Sequence, residues 1–191
     1  MYKRICFIYT ETTGLHQTNK DVSKKELFNY ARMVSLNYII GYYKDKEFVE
    51  EKRVRSIVKP RAMYIPKETE QYHGISQEYA LANGIDPSII IKKLKDDIMD
   101  VNVMVSHNVD FHLRTILAEA VRYNIMLDFS SYLIIDTINF HHTDNYIKLK
   151  DLVTKLKLKT SSDDTVENIK NVFFKLYKKF EKSLKKETEV L

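Results

Sequence analysis

A single cysteine, Cys6, leaves this chain unable to close a disulfide within itself. A disulfide framework is therefore excluded. Because Cys6 lies in the apolar run Ile5, Cys6, Phe7, Ile8, it reads as a buried strand residue in a reducing, intracellular compartment. No apolar stretch reaches the roughly 18 residues needed to span a bilayer. The N-terminus passes from Lys3 and Arg4 into a short apolar run with no signal-peptide core. Neither membrane insertion nor secretion is expected. Glycine and proline are scarce and tryptophan is absent, whereas tyrosine, lysine, isoleucine and asparagine abound. That bias is common in AT-rich genomes and says little about mechanism. There is no internal repeat and no low-complexity linker.

With 191 residues, 44% of them hydrophobic, the chain suffices for one well-buried core and falls short of two ordinary domains. Residues 1–186 are expected to form a single domain, with 187–191 as a tail. The 31 Lys and Arg outnumber the 26 Asp and Glu, for a formal charge of +5. That balance favours an anionic partner such as nucleic acid without identifying one.

Ile5 to Tyr9 reads as a buried strand ending at Thr10-Glu11-Thr12-Thr13-Gly14, where polar residues and a glycine signal a turn. Ala31 to Tyr43 and Phe48 to Val58, separated by the polar Lys44-Asp45-Lys46, predict an antiparallel hairpin beside it. A helical pattern begins at Ser76, with Asp86-Pro87-Ser88 as a start signal and Ile89, Ile90, Leu94 and Ile98 on one face. Val101 to Val105 predicts a strand, Asn108 to Tyr123 a helix, Leu133 to Ile135 a short buried strand, and Leu149 to Leu158 another amphipathic helix. The final helix, from Asp164 to about Lys186, puts Ile169, Val172, Phe173, Leu176 and Phe180 inward. Its lysines, Lys170, Lys175, Lys178, Lys179, Lys182, Lys185 and Lys186, point mostly outward, as a solvated face rather than a dedicated nucleic-acid stripe. Three strands followed by alternating helices and strands imply an α/β sandwich around a mixed sheet.

Three segments carry a resemblance. Phe7-Ile8-Tyr9-Thr10-Glu11-Thr12-Thr13-Gly14-Leu15, then Ser106-His107-Asn108-Val109-Asp110-Phe111-His112-Leu113-Arg114 continuing to Glu119, and finally Lys159-Thr160-Ser161-Ser162-Asp163-Asp164 are similar, in order, to the motifs of DEDDh-type 3′→5′ exonucleases of the proofreading kind. Between them, Val58-Lys59-Pro60, Ile65-Pro66 and His73-Gly74-Ile75-Ser76 look like that family's approach to the substrate cleft. The resemblance spans most of the chain. It implies a ribonuclease H-like three-layer sandwich with a mixed sheet of about five strands.

It also implies a damaged centre. The family holds two divalent ions with four carboxylates and uses a histidine as general base. Here Glu11 and Asp164 match, but Tyr9 and His112 stand where the family has Asp, and Lys159 stands at the place of the histidine. Hard ions such as Mg²⁺ or Mn²⁺ need an anionic oxygen cage that two carboxylates do not make. Asp110 lies two residues before His112, which turns it about 200° away on a helix. Two arrangements stay open: Glu11, His112 and Asp164 as a mixed Mn²⁺ or Zn²⁺ site, or Tyr9 and His112 filling the cavity and hydrogen-bonding to Glu11, Asp164 and each other. His107 reads as scaffold, and His141 with His142 as a surface loop.

The groups that would cradle a strand are retained: Thr12, Thr13, Gly14, His73, Gly74, Ile75, Asn108 and Phe111. Binding without hydrolysis is the expectation, of a single strand or a 3′ end, or as an accessory subunit in replication, repair or transcription. A working exonuclease with a rearranged site, using Mg²⁺ or Mn²⁺, and a protein-interaction scaffold remain the alternatives.

Overall fold

A computed structural model describes residues 3–45, 47–140, 146–159 and 164–188, without the side chains of residues 140 and 178–188. Five strands form one mixed sheet: β1 (Arg4–Thr12), β2 (Met33–Lys44), β3 (Glu47–Ile57), β4 (Val103–Ser106) and β5 (Leu133–Asp136), in the spatial order β3-β2-β1-β4-β5. β2 runs antiparallel to β1 and β3, while β4 and β5 run parallel to β1. The helices are α1 (Lys67–His73), α2 (Gln77–Asn83), α3 (Pro87–Asp97), α4 (Val109–Arg122), α5 (Leu149–Lys155) and α6 (Thr165–Thr188).

Strand alternation divides the core. Cys6 and Ile8 of β1 turn to one face of the sheet, where they meet Ile91 and Leu94 of α3 and Ile116 and Ala120 of α4. Ile5 and Phe7 turn to the other, against Leu152 and Val153 of α5 and Ile169, Val172 and Phe173 of α6. Phe7 is fully buried there, edge-on to Phe48, Phe173 and Phe174 at centroid distances of 5.4–5.7 Å. Burial of each such side chain contributes about 1.5–3 kcal/mol, so helical layers on both faces are what hold the sheet together. Cys6 is wholly buried, and desolvation raises its thiol pKa, which keeps it an unreactive core residue.

The hairpin, the Asp86 start signal and the two-sided helix layers agree with the sequence. Asp86 caps α3 by accepting from the Ser88 amide at 2.9 Å. Four details differ. Ile89 is 58% exposed and Ile91 takes its place in the core, because the buried arc of α3 is centred on Ile90, Ile91 and Leu94. β5 is an edge strand with Leu133 and Ile134 exposed and Ile135 buried. Lys170 folds back onto Glu50, Glu167 and the Phe48 ring instead of pointing to solvent. α1 is a polar helix with no buried residue, so it has no apolar period to read. Phe180, the distal lysines of α6, His141 and His142, and residues 160–163 lie outside the described residues or side chains.

α4 is fastened at both ends. Asn108 enters it with φ of 66°, a left-handed backbone that asparagine tolerates better than most residues. The two carboxylate oxygens of Asp136, at the end of β5, accept from the amides of Asn108 and Val109 at 2.9 and 2.8 Å. Farther along α4, buried Glu119 accepts from Arg32, Arg122 and the Met33 amide at 2.8–3.2 Å. The start of α4 is thus held rigidly beside the end of β1.

Candidate functional site

β1 outlasts β4 as a partner: their ladder stops at Phe7 and Val105, leaving one edge of β1 open. Two side chains complete that edge. Ser106 donates its hydroxyl to the Ile8 carbonyl at 2.6 Å, and the Thr10 amide donates to Nδ1 of His112 at 3.2 Å. Since Nδ1 accepts, the ring proton sits on Nε2, which donates to the His107 carbonyl at 3.2 Å. The Thr10 hydroxyl also lies 2.9 Å from Nδ1. His112 is therefore a neutral residue committed at both nitrogens, and desolvation pushes its pKa down to about 3.

Beyond this edge lies a cavity of about 300 Å³. Its wall comprises Tyr9, Thr10, Glu11 and Thr12 from β1, Leu15, then His107, Asn108, Phe111 and His112 around the start of α4, and Tyr146, Leu149 and Thr165. The Tyr9 ring rests on His112 with centroids 4.4 Å apart. Phe111 meets His112 edge-on at 5.4 Å and stacks on His16 at 4.4 Å. Burial and the neighbouring Glu11 charge raise the Tyr9 phenol well above its ordinary pKa. His107 is pinned to the Thr137 hydroxyl at 2.9 Å and the Ile147 carbonyl at 2.8 Å.

Glu11 is the one carboxylate among the described lining residues, and no hydrogen bond or ion pair from a described residue meets it. Desolvation alone raises its pKa to about 7. No lysine or arginine lines the described wall.

The residues singled out from the sequence divide. Tyr9, Glu11 and His112 come together here, with Thr12, Asn108 and Phe111. Asp164 does not line the cavity. It caps α6 by accepting from the Glu167 amide at 3.1 Å, and its carboxylate is ion-paired to Arg53 and Arg55 of β3. The expected hydrogen bonds from Tyr9 and His112 to Glu11 and Asp164 are not formed: His112 is taken by β1 backbone, and arginines neutralise Asp164. Lys159 is exposed. Asp110 is exposed and paired with Arg114 at 2.7 Å. Thr13 is spent on the Arg32 backbone, exchanging bonds of 2.9 and 3.0 Å. Gly14, with φ of +147°, turns the chain after β1, and its carbonyl accepts from the Thr12 hydroxyl at 2.7 Å. Gly74 closes α1 in the left-handed conformation, His73 accepts from the Ile75 amide, and Ile75 packs against a small cluster of Val34, Ile65 and Ala80. None of these three lines the cavity.

Sequence reasoning passed over Leu15, Tyr146, Leu149 and Thr165 as lining residues, and His16 as the prop behind Phe111. The first motif names Leu15, but nothing local gives its direction. A mixed metal site of Glu11, His112 and Asp164 does not fit either. The imidazole nitrogens are occupied, Asp164 is turned to β3, and no group of three His, Cys, Asp or Glu among the described residues could hold an ion. A two-ion centre requires an oxygen cage that one carboxylate does not supply.

No protein-family model and no curated protein matches the sequence. Solved structures do match. Product-bound exonuclease I superposes with a TM-score of 0.72 at 14% identity, over 94% of this chain and 44% of that one. Escherichia coli exonuclease I in complex with a dT13 oligonucleotide gives 0.65 at 14%, over 92% and 40%. A complex of exonuclease I with SSB-Ct gives 0.67 at 14%, over 94% and 42%. The chain spans less than half the length of these neighbours. Its fold is the ribonuclease H-like α/β sandwich of exonuclease I, as the motif resemblance implies.

Proposed function

We propose that this domain binds single-stranded nucleic acid and does not cut it. The observation that carries the reading is the state of the cavity at the end of β1. On a fold shared with exonuclease I, the described lining residues of that cavity include one carboxylate, a tyrosine and a neutral, doubly bonded histidine, and its walls remain open to a ligand. Phosphodiester hydrolysis by paired ions needs several anionic oxygens around the ions, and among the described lining residues Glu11 is the one carboxylate. Aromatic and apolar surface remains for bases, from Phe111, Tyr146 and Leu15. The net positive charge supports attraction of a polyanion at long range. A neighbour captured with an oligonucleotide supports the same ligand class.

An accessory place in a replication, repair or transcription assembly inside the cell rests on the same reading. So does association with a protein partner, for which the exonuclease I complex with SSB-Ct is a precedent in that protein. Among the described residues no helix is long and apolar enough to cross a membrane.

The second reading, an exonuclease with a rebuilt site that recruits Mg²⁺ or Mn²⁺, has one observation in its favour: Glu11 lines the cavity and meets no hydrogen bond or ion pair from a described residue. A 3′-labelled single strand incubated with the protein and either ion separates the two. The proposed function expects a retained, full-length strand whose affinity falls steeply with added salt. Ion-dependent shortening that disappears in Glu11→Ala would establish the exonuclease instead, and absence of binding at low salt would favour the protein-interaction scaffold.

A further inference from the structure

The cavity is hostile to phosphate. No lysine or arginine lines its described wall, and its two histidines are buried, hydrogen-bonded and held neutral. Helix N-termini are the usual backbone site for anions, and α4, α5 and α6 each begin beside this cavity. Two of them are already capped by carboxylates: Asp136 takes the Asn108 and Val109 amides of α4, and Asp164 takes the Glu167 amide of α6. The third, α5, has no side-chain cap and is only seven residues long. Glu11 then adds an acceptor-only group wherever it is ionised, with the Tyr9 hydroxyl beside it. Among the described lining residues, an anion brought here would meet the Glu11 carboxylate and no lysine or arginine.

The same features suit a base. The volume, about 300 Å³, is at the lower end of the range for small-ligand sites, and Phe111, Tyr146, Leu15 and Leu149 supply apolar wall. An unpaired carboxylate seeks two parallel donors, as it does with a guanidinium fork. Among nucleobases guanine alone presents two adjacent N–H donors on its Watson–Crick edge. Adenine and cytosine pair one donor with an acceptor, and thymine flanks its single N–H with two carbonyls.

We infer that the cavity receives the terminal base of a single strand, with guanine preferred and its edge on the Glu11 carboxylate, while the phosphates remain outside. The inference rests on the proposed function, since it presumes that a strand binds, and it names which part of the strand enters. Glu11 thereby becomes a reader of a base edge, in the position of a residue that would otherwise hold a metal ion. The chemistry of the donor set, one carboxylate without cations, is what reverses the polarity of the site.

The test compares a short oligothymidylate with the same strand carrying dG at both ends, by fluorescence anisotropy at fixed salt with EDTA present. The dG-ended strand is expected to bind about tenfold more tightly, in keeping with one good bidentate base contact. The Glu11→Gln variant is expected to lose that preference, and thermal denaturation checks that it folds. Free guanosine is expected to compete for the dG-ended strand, and inorganic phosphate at equal ionic strength is not. Equal binding of the two strands would overturn the inference and leave the proposed function standing. A preference for dG that survives in Glu11→Gln, or competition by phosphate and not guanosine, would overturn the inference as well. Failure of both strands to bind would remove both.

Discussion

Asp164 and Glu11 both answer to acidic positions of the same motif set, yet they occupy opposite surroundings. At the start of α6, Asp164 caps the helix and is ion-paired to Arg53 and Arg55 from β3, so its charge is compensated on every side. At the end of β1, Glu11 faces a cavity with no lysine or arginine among its described lining residues and accepts no hydrogen bond from a described residue, and burial lifts its pKa to about 7. A compensated carboxylate holds a fold together. An uncompensated one raises the energy of the folded state and awaits a ligand. On the proposed function the ligand belongs to the β1 end, while at the β3–α6 end Asp164 serves as a helix cap and ion-pair partner.

The most severe test of that contrast targets the histidine bonded to the open edge of β1. His112→Ala leaves the Thr10 amide and the His107 carbonyl without their partner and opens a void, so a loss of about 3 kcal/mol is expected in urea denaturation. A negligible loss would mean that His112 is not structural. Next, Asp164→Ala removes a cap and strands two arginines. Arg55 is largely exposed, which limits its share, and about 2 kcal/mol of stability should go, with no effect on strand binding. Weakened binding in that variant would return Asp164 to the site.

Titration sharpens the contrast further, with opposite signs for the two kinds of group. Glu11 has a folded pKa raised from 4.5 to about 7. Its favourable state is fully present below 4.5 and is lost as pH rises through 7. Glu11→Gln should therefore be more stable than the parent by up to about 3 kcal/mol above pH 7, with the two converging below 4.5. His112 has a folded pKa lowered from 6.5 to about 3. Its contribution is present above 6.5 and is lost as pH falls toward 3, so the parent should lose stability on that limb. Chemical denaturation across this pH range reads both. A Glu11→Gln curve parallel to the parent at every pH would show that the carboxylate is not desolvated.

Much of this was legible in the residues. Period-two runs gave the β2–β3 hairpin, Asp86-Pro87-Ser88 gave the start of α3, and motif spacing brought Tyr9, Glu11, His112, Asn108 and Phe111 to one place. α1 was invisible because Lys-Glu-Thr-Glu-Gln-Tyr-His buries nothing and carries no period. β5 looked like a core strand because its three apolar residues do not reveal that no strand covers their outer side. The direction of Asp164 was beyond sequence for a different reason. Arg53 and Arg55 lie more than a hundred positions away, and only the packing of α6 on the sheet brings them to the cap. Likewise, His112 matched a metal-ligand position, and nothing local tells that the open edge of β1 would claim its Nδ1.

Calorimetric titration of the protein with Mn²⁺ and with Mg²⁺ tests the central claim most directly, since the claim concerns whether Glu11, the one carboxylate among the described lining residues, can hold an ion. The account predicts no saturable binding of either ion at micromolar concentration and no rise in melting temperature. Tight binding of two ions, abolished by Glu11→Gln, would contradict it and return the cavity to phosphodiester chemistry.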